Sequence, residues 1–412
     1  MASMPTTPVP RRILLADADA FFVAVARMVD PDGAGQAPLL IVGGSRDSRG
    51  VVCSASYETR KFGVRSAMPI SRALRLCPDA TCVPVPMKAC GVKSREIRAV
   101  LGRFAPVVEG ASIDEWYMDL AGTEGIYHSE PLGATAHRMR DAVKRETGLS
   151  ISIGGGINKL VAKLAVERAK PKPGTNADGV HIVPPGSEES FLATFTLAEL
   201  PMVGPKFQER LAERGMRTVM DVRRHTLDDL RVLIGAREGE WLWNRVHGVD
   251  HSEVEGHGEA KSISRDETFA ADLREDHDLE RELLALVTRA AFDLRGDGVT
   301  ARTITVKIRD MDFRTRSAQR TLVEPVVSDR VIFRVALELL RKLRTARRIP
   351  ARLLGVSLSS LAHDPLADQL PLFASADPLS ETDRDRVLSR AIDRVREKYG
   401  PGGIIPASLS QD

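Results

Sequence analysis

The sequence predicts a multidomain α/β (α+β) chain, and three observations carry that prediction. A length of 412 residues exceeds what one ordinary hydrophobic core organises, so roughly two to four domains are expected. Strand-length apolar runs alternate with helical patterns up to about residue 180, in a β-α-β order with adjoining strand pairs. Beyond residue 260 a separate β-α-β-β-α-β order appears, that of a compact split βαβ domain.

Residues 1–12 read as a loose tail. Residues 13–16 form a short buried strand running into Asp17, and a helix over 21–28 follows. Residues 39–42 are strand-like, Gly43-Gly44 turns the chain, and 50–54 resume a strand. After Met68-Pro69 a helical pattern carries Ala73, Leu74 and Leu76 until Pro78 closes it. Residues 107–115 and 115–120 read as two strands meeting at a carboxylate pair, Asp114 and Glu115. A helix over 132–147 places Ala136, Met139, Ala142 and Val143 on one face and stops at Gly148. A strand over 149–153, a glycine turn at 154–156 and a helix over 158–170 come next, and Pro171 breaks that helix.

Residues 181–249 are mainly helical, with Gly204-Pro205 and Gly215 as breakers, and 250–260 have the polar, Gly-bearing composition of a linker. The last domain starts with a strand over 261–269 and a helix over 278–295. In the strand over 302–309, Ile304, Val306 and Ile308 point inward and Thr303, Thr305, Lys307 and Arg309 outward. A tight turn at Asp310-Met311-Asp312, a strand over 313–322, a helix over 328–345 and a strand over 352–361 complete it. Two helices would then cover one sheet face and leave the other to a partner. A helix over 383–399 in the tail has no purpose legible in the sequence.

The net charge of +3 is too small to declare a nucleic-acid binder. Its distribution says more: residues 301–320 hold six Lys or Arg against two Asp or Glu, a local basic surface suited to phosphate. The four cysteines, Cys53, Cys77, Cys82 and Cys90, lack zinc spacing and are expected as reduced thiols. No apolar stretch approaches the roughly 20 residues of a membrane span, and the start of the chain lacks a secretory apolar core. The cytoplasm is the default compartment.

Carboxylates beside apolar strand residues are costly to bury unless something neutralises them. Asp17 after 13–16 and the pair Asp114-Glu115 therefore point to divalent cations, and two hard cations on shared carboxylates form a clamp for phosphoryl or nucleotidyl transfer. An isolated Asp-Glu is more often a solvated turn. The other motifs turn the balance.

Four ordered segments, Asp17-Ala18-Asp19-Ala20-Phe21-Phe22, residues 56–64 with Tyr57 and Arg60, Ser112-Ile113-Asp114-Glu115, and residues 158–165 with Lys159, resemble the Y-family translesion DNA polymerases. The resemblance runs from about residue 12 to 373. It implies a right-hand-like architecture: palm (1–20 and 87–180), fingers (21–86), a thumb with a helix-hairpin-helix turn (181–249), a linker (250–260), a little finger (261–363) and a tail (364–412). It implies template-directed addition of deoxynucleotides to a primer 3′-end and tolerance of damaged template; with no separate nuclease-domain pattern upstream, proofreading is not expected.

By the same resemblance, Asp17, Asp114, Glu115 and the backbone carbonyl of Ala18 hold two Mg²⁺ ions, with Mn²⁺ as a substitute. Phe21, Phe22, Tyr57, Arg60 and Lys159 contact the incoming nucleotide. Arg supplies a planar fork of donors and Lys a point charge for phosphate oxygens, and Lys159 sits at a helix start whose free N–H groups favour anions. Phe22 falls at the steric gate, where a ring collides with a ribose 2′-hydroxyl. The turn before the helix at 207–214 offers Gly204 and Lys206 to DNA phosphate, and Lys261, Lys307, Arg309 and Arg314 belong to the little finger's DNA contacts. Gln369, Leu370, Leu372 and Phe373 resemble the peptide that docks into the bacterial sliding clamp. Primer-template DNA, deoxynucleoside triphosphates and the clamp are thus the expected partners of a monomer.

Two features depart from the family pattern. Trp116 follows the carboxylates where a small residue is usual and reads as core filling, and Gly154-Gly155-Gly156 is unusually rich in glycine. The readings weighed against a polymerase are a catalytically dead, clamp-bound scaffold, which should lack the carboxylates, and another two-metal palm enzyme such as a nucleotide cyclase, which has no use for Phe22 or the clamp peptide.

Overall fold

The computed structural model describes residues 11–46, 49–171, 176–256, 258–363, 381–400, 402–406 and 409. It divides into two compact units, Met1–Gly258 and Glu259–Asp412.

In the first unit β1 (Ile13–Ala18) leads into α1 (Phe21–Val29). Next come β2 (Leu40–Gly43), β3 (Ser54–Ala55), α2 (Tyr57–Arg60), α3 (Ile70–Leu76) and β4 (Thr81–Pro84), whose strands form a small sheet of order β3-β2-β4. The strand expected over 50–54 is confined to Ser54–Ala55, and Val51 upstream of it bridges to Pro69 instead. Then follow α4 (Met87–Leu101), β5 (Val107–Gly110), β6 (Glu115–Asp119), α5 (Leu132–Thr147), β7 (Ile151–Gly156), α6 (Lys159–Ala169) and β8 (Val180–Ile182). The main sheet has the order β5-β6-β1-β7-β8, with β1 antiparallel to both neighbours.

Strand alternation gives this sheet two different faces. One carries Leu14, Ala16, Ala18, Trp116 and Met118 into a core completed by buried residues of α4 and α5. Trp116, 1% exposed, fills that core and faces away from the carboxylates. The opposite face carries Ile13 and Leu15 against Ala162 and Val166 of α6.

The glycine run is strand rather than turn. Gly154 lies so near α6 that a Cβ there would sit 2.0 Å from the Val166 nitrogen and 2.4 Å from the Ala162 oxygen. Absence of side chains lets helix backbone rest on strand backbone, the close approach for which glycine is suited. Gly148 ends α5 at φ +75°, the left-handed C-cap its position predicts.

The rest of the unit is helical: α7 (Glu188–Leu192), a 3-10 turn at Leu197–Glu199, α8 (Pro205–Ala212), α9 (Val219–Arg223), α10 (Leu227–Ile234) and α11 (Ala236–Val246) share one apolar core that includes Leu211, Val222, Leu230 and Leu242. The second unit contains β9 (Ser262–Leu273), α12 (Asp276–Gly296), β10 (Val299–Asp310), β11 (Thr315–Val326), α13 (Asp329–Ala346), β12 (Ala351–His363) and α14 (Asp383–Tyr399). Its antiparallel sheet has the order β11-β10-β12-β9. Ile304, Val306 and Ile308 are fully buried with α12 and α13 residues, while Thr305, Lys307 and Arg309 stay half-buried on the other face.

Helix α14 docks through charge. Arg295 of α12 donates Nε to Asp393 at 2.6 Å and Nη1 to Asp329 at 2.6 Å, and Glu381, just before α14, accepts the Val327 amide at 3.0 Å.

Candidate active site

Asp17 and Glu115 are directly opposed in the β1–β6 register, two rows beyond the Leu15–Tyr117 pair. Both point to the face covered by α6, since they share alternation with Leu15 and Tyr117. Carboxylates directly across an antiparallel pair repel unless a cation stands between them. Asp114 lies outside the strand, contrary to the expectation of a strand through 107–115. The Ala111 and Ser112 amides both donate to the Glu115 carbonyl, at 2.9 and 3.3 Å, and close a turn over 111–114. Asp114 is still tied to the end of β1, because its carbonyl accepts the Ala18 amide at 2.9 Å, and the Ser112 hydroxyl donates to its carboxylate.

Helix α6 and its C-cap residue Lys170 meet these acids with a stripe of lysines. Lys159, Lys163 and Lys170 are spaced four and eleven apart, within about 40° of one another on a 3.6-residue helix. Lys163 Nζ reaches Glu115 at 2.5 Å and Lys170 Nζ reaches Asp17 at 2.9 Å. Lys159 instead bonds Glu109 at 2.5 Å and stands 5.3 Å over the Tyr117 ring. Glu109 also accepts the Glu255 amide at 2.8 Å, so Lys159 belongs to a tie between β5 and the segment after α11.

The start of α6 is not a free anion site either. Val161 N donates to the Asn158 side chain at 2.9 Å and Leu160 N to Asp250 at 3.1 Å, so two of the amides the sequence left open are taken by this chain's own acceptors. The residues missed by sequence reading are thus Lys163 and Lys170. Their signal was present in the shared helical stripe, but nothing local says which lysine meets which acid.

Asp17 is 7% exposed. Burial pushes its carboxyl up to about 7, since the charge of Lys170 only partly offsets the desolvation and Glu115 adds to it. Burial also works against the charge on Lys170, but Asp17 and Glu167 outweigh it and hold the ammonium above the usual lysine range. The carboxyl rises despite its partner because one lysine does not repay the loss of water. Three oxygen-donor acids, one of them buried and under-compensated, suit a hard divalent cation. Among the described residues no three His, Cys, Asp or Glu side chains are already gathered into a closed metal cage.

Tyr57 begins α2 behind the Ser56 cap, and Arg60 stands 4.9 Å over its ring while donating Nε to the Ala55 carbonyl at 2.9 Å. Burial raises the Tyr57 hydroxyl, with Asp19, Arg60, Lys170 and Asp17 all close enough to act on it. Tyr57, Glu58, Asp19, Ala20, Ser150 and Pro171 line a cleft of about 310 Å³ beside the end of β1. Asp19 accepts the Ser152 hydroxyl at 2.7 Å.

The chain turns from β1 into α1 through Ala20, at φ 45°. Phe21 is buried there; Phe22 is half-buried, its ring 5.5 Å from Phe21 and edge-on to it.

Gly204 caps α8 with Pro205 as the first helical residue, and Gly204 and Lys206 are both exposed. In the second unit Lys261 and Arg314 are exposed, Lys307 pairs with Asp266, and Arg309 Nε bonds the Thr315 hydroxyl at 2.8 Å. Gln369, Leu370, Leu372 and Phe373 lie outside the described residues.

Residues 16–167 match the impB/mucB/samB family, 198–250 the thumb domain described for DNA polymerase-iota, and 260–372 the impB/mucB/samB family C-terminal domain. A DNA polymerase IV of Dehalococcoides mccartyi (strain CBDB1) is 36% identical over 95% of both chains. One from Caulobacter vibrioides is also 36% identical, over 94% of this chain and 92% of its own. Among solved structures, a Y-family DNA polymerase chimera of Dbh and Dpo4 superposes with a TM-score of 0.72 at 24% identity, covering 85% of this chain and 98% of its own. DinB from Sulfolobus solfataricus does so at 0.57 and 25%, covering 84% and 98%.

Proposed function

The chain belongs to the impB/mucB/samB family, the Y-family of translesion DNA polymerases to which DNA polymerase IV belongs, and from that premise we propose which of its residues carry out templated nucleotide addition. It is a DNA-directed DNA polymerase of the translesion type that depends on divalent metal. The observation that carries the residue assignment is the opposition of Asp17 and Glu115 across β1 and β6, with Asp114 tied by its backbone to Ala18.

Asp17, Asp114, Glu115 and the Ala18 carbonyl are the donors for two Mg²⁺ ions, and Mn²⁺ fits the same oxygen set. When bound, the ions lower the pKa of the primer 3′-hydroxyl and neutralise charge on the leaving pyrophosphate. The protein positions the reactants. Lys170 beside Asp17, together with Tyr57 and Arg60, faces the triphosphate of the deoxynucleotide, and its ammonium exchanges a carboxylate for phosphate oxygens. Phe21 anchors Phe22, whose half-exposed ring occupies the space of a ribose 2′-hydroxyl.

Primer-template DNA is gripped through its phosphates by the exposed Gly204 turn with Lys206 and by Lys307 and Arg309 on the outward sheet face, together with the exposed Lys261 and Arg314. Lys159 holds Glu109 and is assigned to architecture. Gln369 to Phe373 supply the clamp-docking peptide of a monomer working in the cytoplasm, and no helix among the described residues is long and apolar enough to cross a membrane.

Primer extension with Mg²⁺ and four deoxynucleotides tests the site. Asp114→Ala should abolish extension while leaving DNA binding intact; equal extension by both proteins overturns the metal assignment.

A further inference from the structure

The connection between β10 and β11 displays an aromatic ring that the assignments above leave unused. Phe313 N donates to the Asp310 carbonyl at 2.9 Å and Asp310 N to the Arg314 carbonyl at 3.0 Å, which closes a three-residue hairpin connection with Phe313 in its left-handed position, φ +65°. Gly or Asn ordinarily fills that position, because an L side chain there crowds its own backbone. Phe313 nevertheless stands 64% exposed beside Met311, which is 51% exposed.

The tip is held from beneath. Asp310 is fully buried between Arg316, at 3.1 Å, and Arg347, at 2.6 Å, and Arg347 also pairs with Asp312 at 2.7 Å. Met311 N donates to the Pro350 carbonyl at 2.9 Å. These ties neutralise both acids of the turn and fix the backbone under the ring. The guanidinium of Arg352 stands 4.7 Å over one face of Phe313, and Arg309 at the end of β10 and the exposed Arg314 bracket the turn in the chain. Disfavoured backbone persists only where its surroundings over-determine it, and such positions gather at ligand contacts. An exposed ring among arginines is the combination that holds unstacked bases, the ring taking the base and the cations the phosphates.

We propose that Phe313 is a stacking platform for an unpaired nucleobase of the single-stranded template, with Arg352 backing the ring and Arg309 and Arg314 on the neighbouring phosphates. The inference rests on the reading of this domain as a DNA contact. Inside a duplex the bases are stacked on both faces and paired, so a platform for an unpaired base distinguishes the two forms of DNA.

The test is fluorescence anisotropy with the full-length protein on a primer-template bearing a single-stranded template extension and on a blunt duplex of the same paired length. Phe313→Asn should weaken binding to the extended DNA by roughly 5- to 150-fold, the range of one lost base–aromatic stack, and leave the blunt duplex unchanged. Its thermal midpoint should hold or rise, because Asn tolerates the left-handed backbone, and Phe313→Trp should retain the affinity. Unchanged binding of the extended DNA by Phe313→Asn, or an equal loss on both DNAs, overturns the proposal. Lys307→Ala, on the outward sheet face and outside the proposed platform, tests the underlying reading separately: a loss on both DNAs supports contact by this domain, and no loss on either overturns it.

Discussion

Gly154→Ala is the substitution whose effect can be worked most directly from the packing of α6 on β7. The added methyl would lie 2.0 Å from the Val166 nitrogen and 2.7 Å from the Ala165 carbonyl carbon, and both are helix backbone that cannot rotate aside. Restoring ordinary contact requires a separation of 3.4 Å or more, so α6 must lift from the sheet by about 1.4 Å. Overpacking of a tight core costs about 1–3 kcal/mol, and a clash with backbone belongs at the upper end. Replacing glycine returns roughly 0.5–1 kcal/mol through the unfolded chain. The net expectation is a loss of about 2 kcal/mol, read from urea denaturation.

The same displacement draws Lys163 and Lys170 from Glu115 and Asp17, where they now stand at 2.5 and 2.9 Å. A misplacement of about 1 Å at a reacting centre can cost about 100-fold, so single-nucleotide kcat/KM should fall by roughly that factor. Gly110→Ala provides the control, since a methyl there meets nothing within 4 Å. If Gly154→Ala matches the parent in both stability and kcat/KM, close contact of α6 is not what positions the lysines.

Three further outcomes are expected. Phe22→Ala should admit ribonucleotides in primer extension with little change for deoxynucleotides; unchanged sugar selectivity would return Phe22 to a purely packing role. Arg295→Met should cost about 3–5 kcal/mol in denaturation, because the arginine side chain is 8% exposed and its loss strands Asp329 and Asp393 without their main partner. A loss below about 1 kcal/mol would show that α14 is held by something else. Asp312 is depressed to about 2, chiefly by its bond to Arg347. A depressed carboxyl stabilises the fold above its unfolded value and loses that contribution as pH falls, here from about 4 toward 2. Asp312→Asn should flatten that part of the stability profile, and an identical acid slope in both proteins would contradict the pairing.

Much of the chain was legible because its signals are local. The 3.6-residue spacing of Ala136, Met139, Ala142 and Val143, the alternation of Ile304, Val306 and Ile308, and Gly148 as a stop each depend on neighbours within a few turns, and α5, β10 and the C-cap followed. The glycine run misled because a turn and a Cβ-less strand surface read alike until the helix above is known.

The sequence alone set down the acids, the ordered motifs and the β-α-β-β-α-β order of the last domain. Only the tertiary structure decided how they meet. Opposition of Asp17 and Glu115 is a matter of register between strands about a hundred residues apart, which no local pattern encodes. Helix periodicity placed Lys159, Lys163 and Lys170 on one stripe, but the height and slide of α6 on the glycines of β7 gave Lys170 to Asp17, Lys163 to Glu115 and Lys159 to Glu109. Helix α14 likewise found its place through ion pairs with Arg295, 98 positions from Asp393. Periodicity fixes which face a side chain occupies; the charge it meets across the gap depends on how whole elements pack.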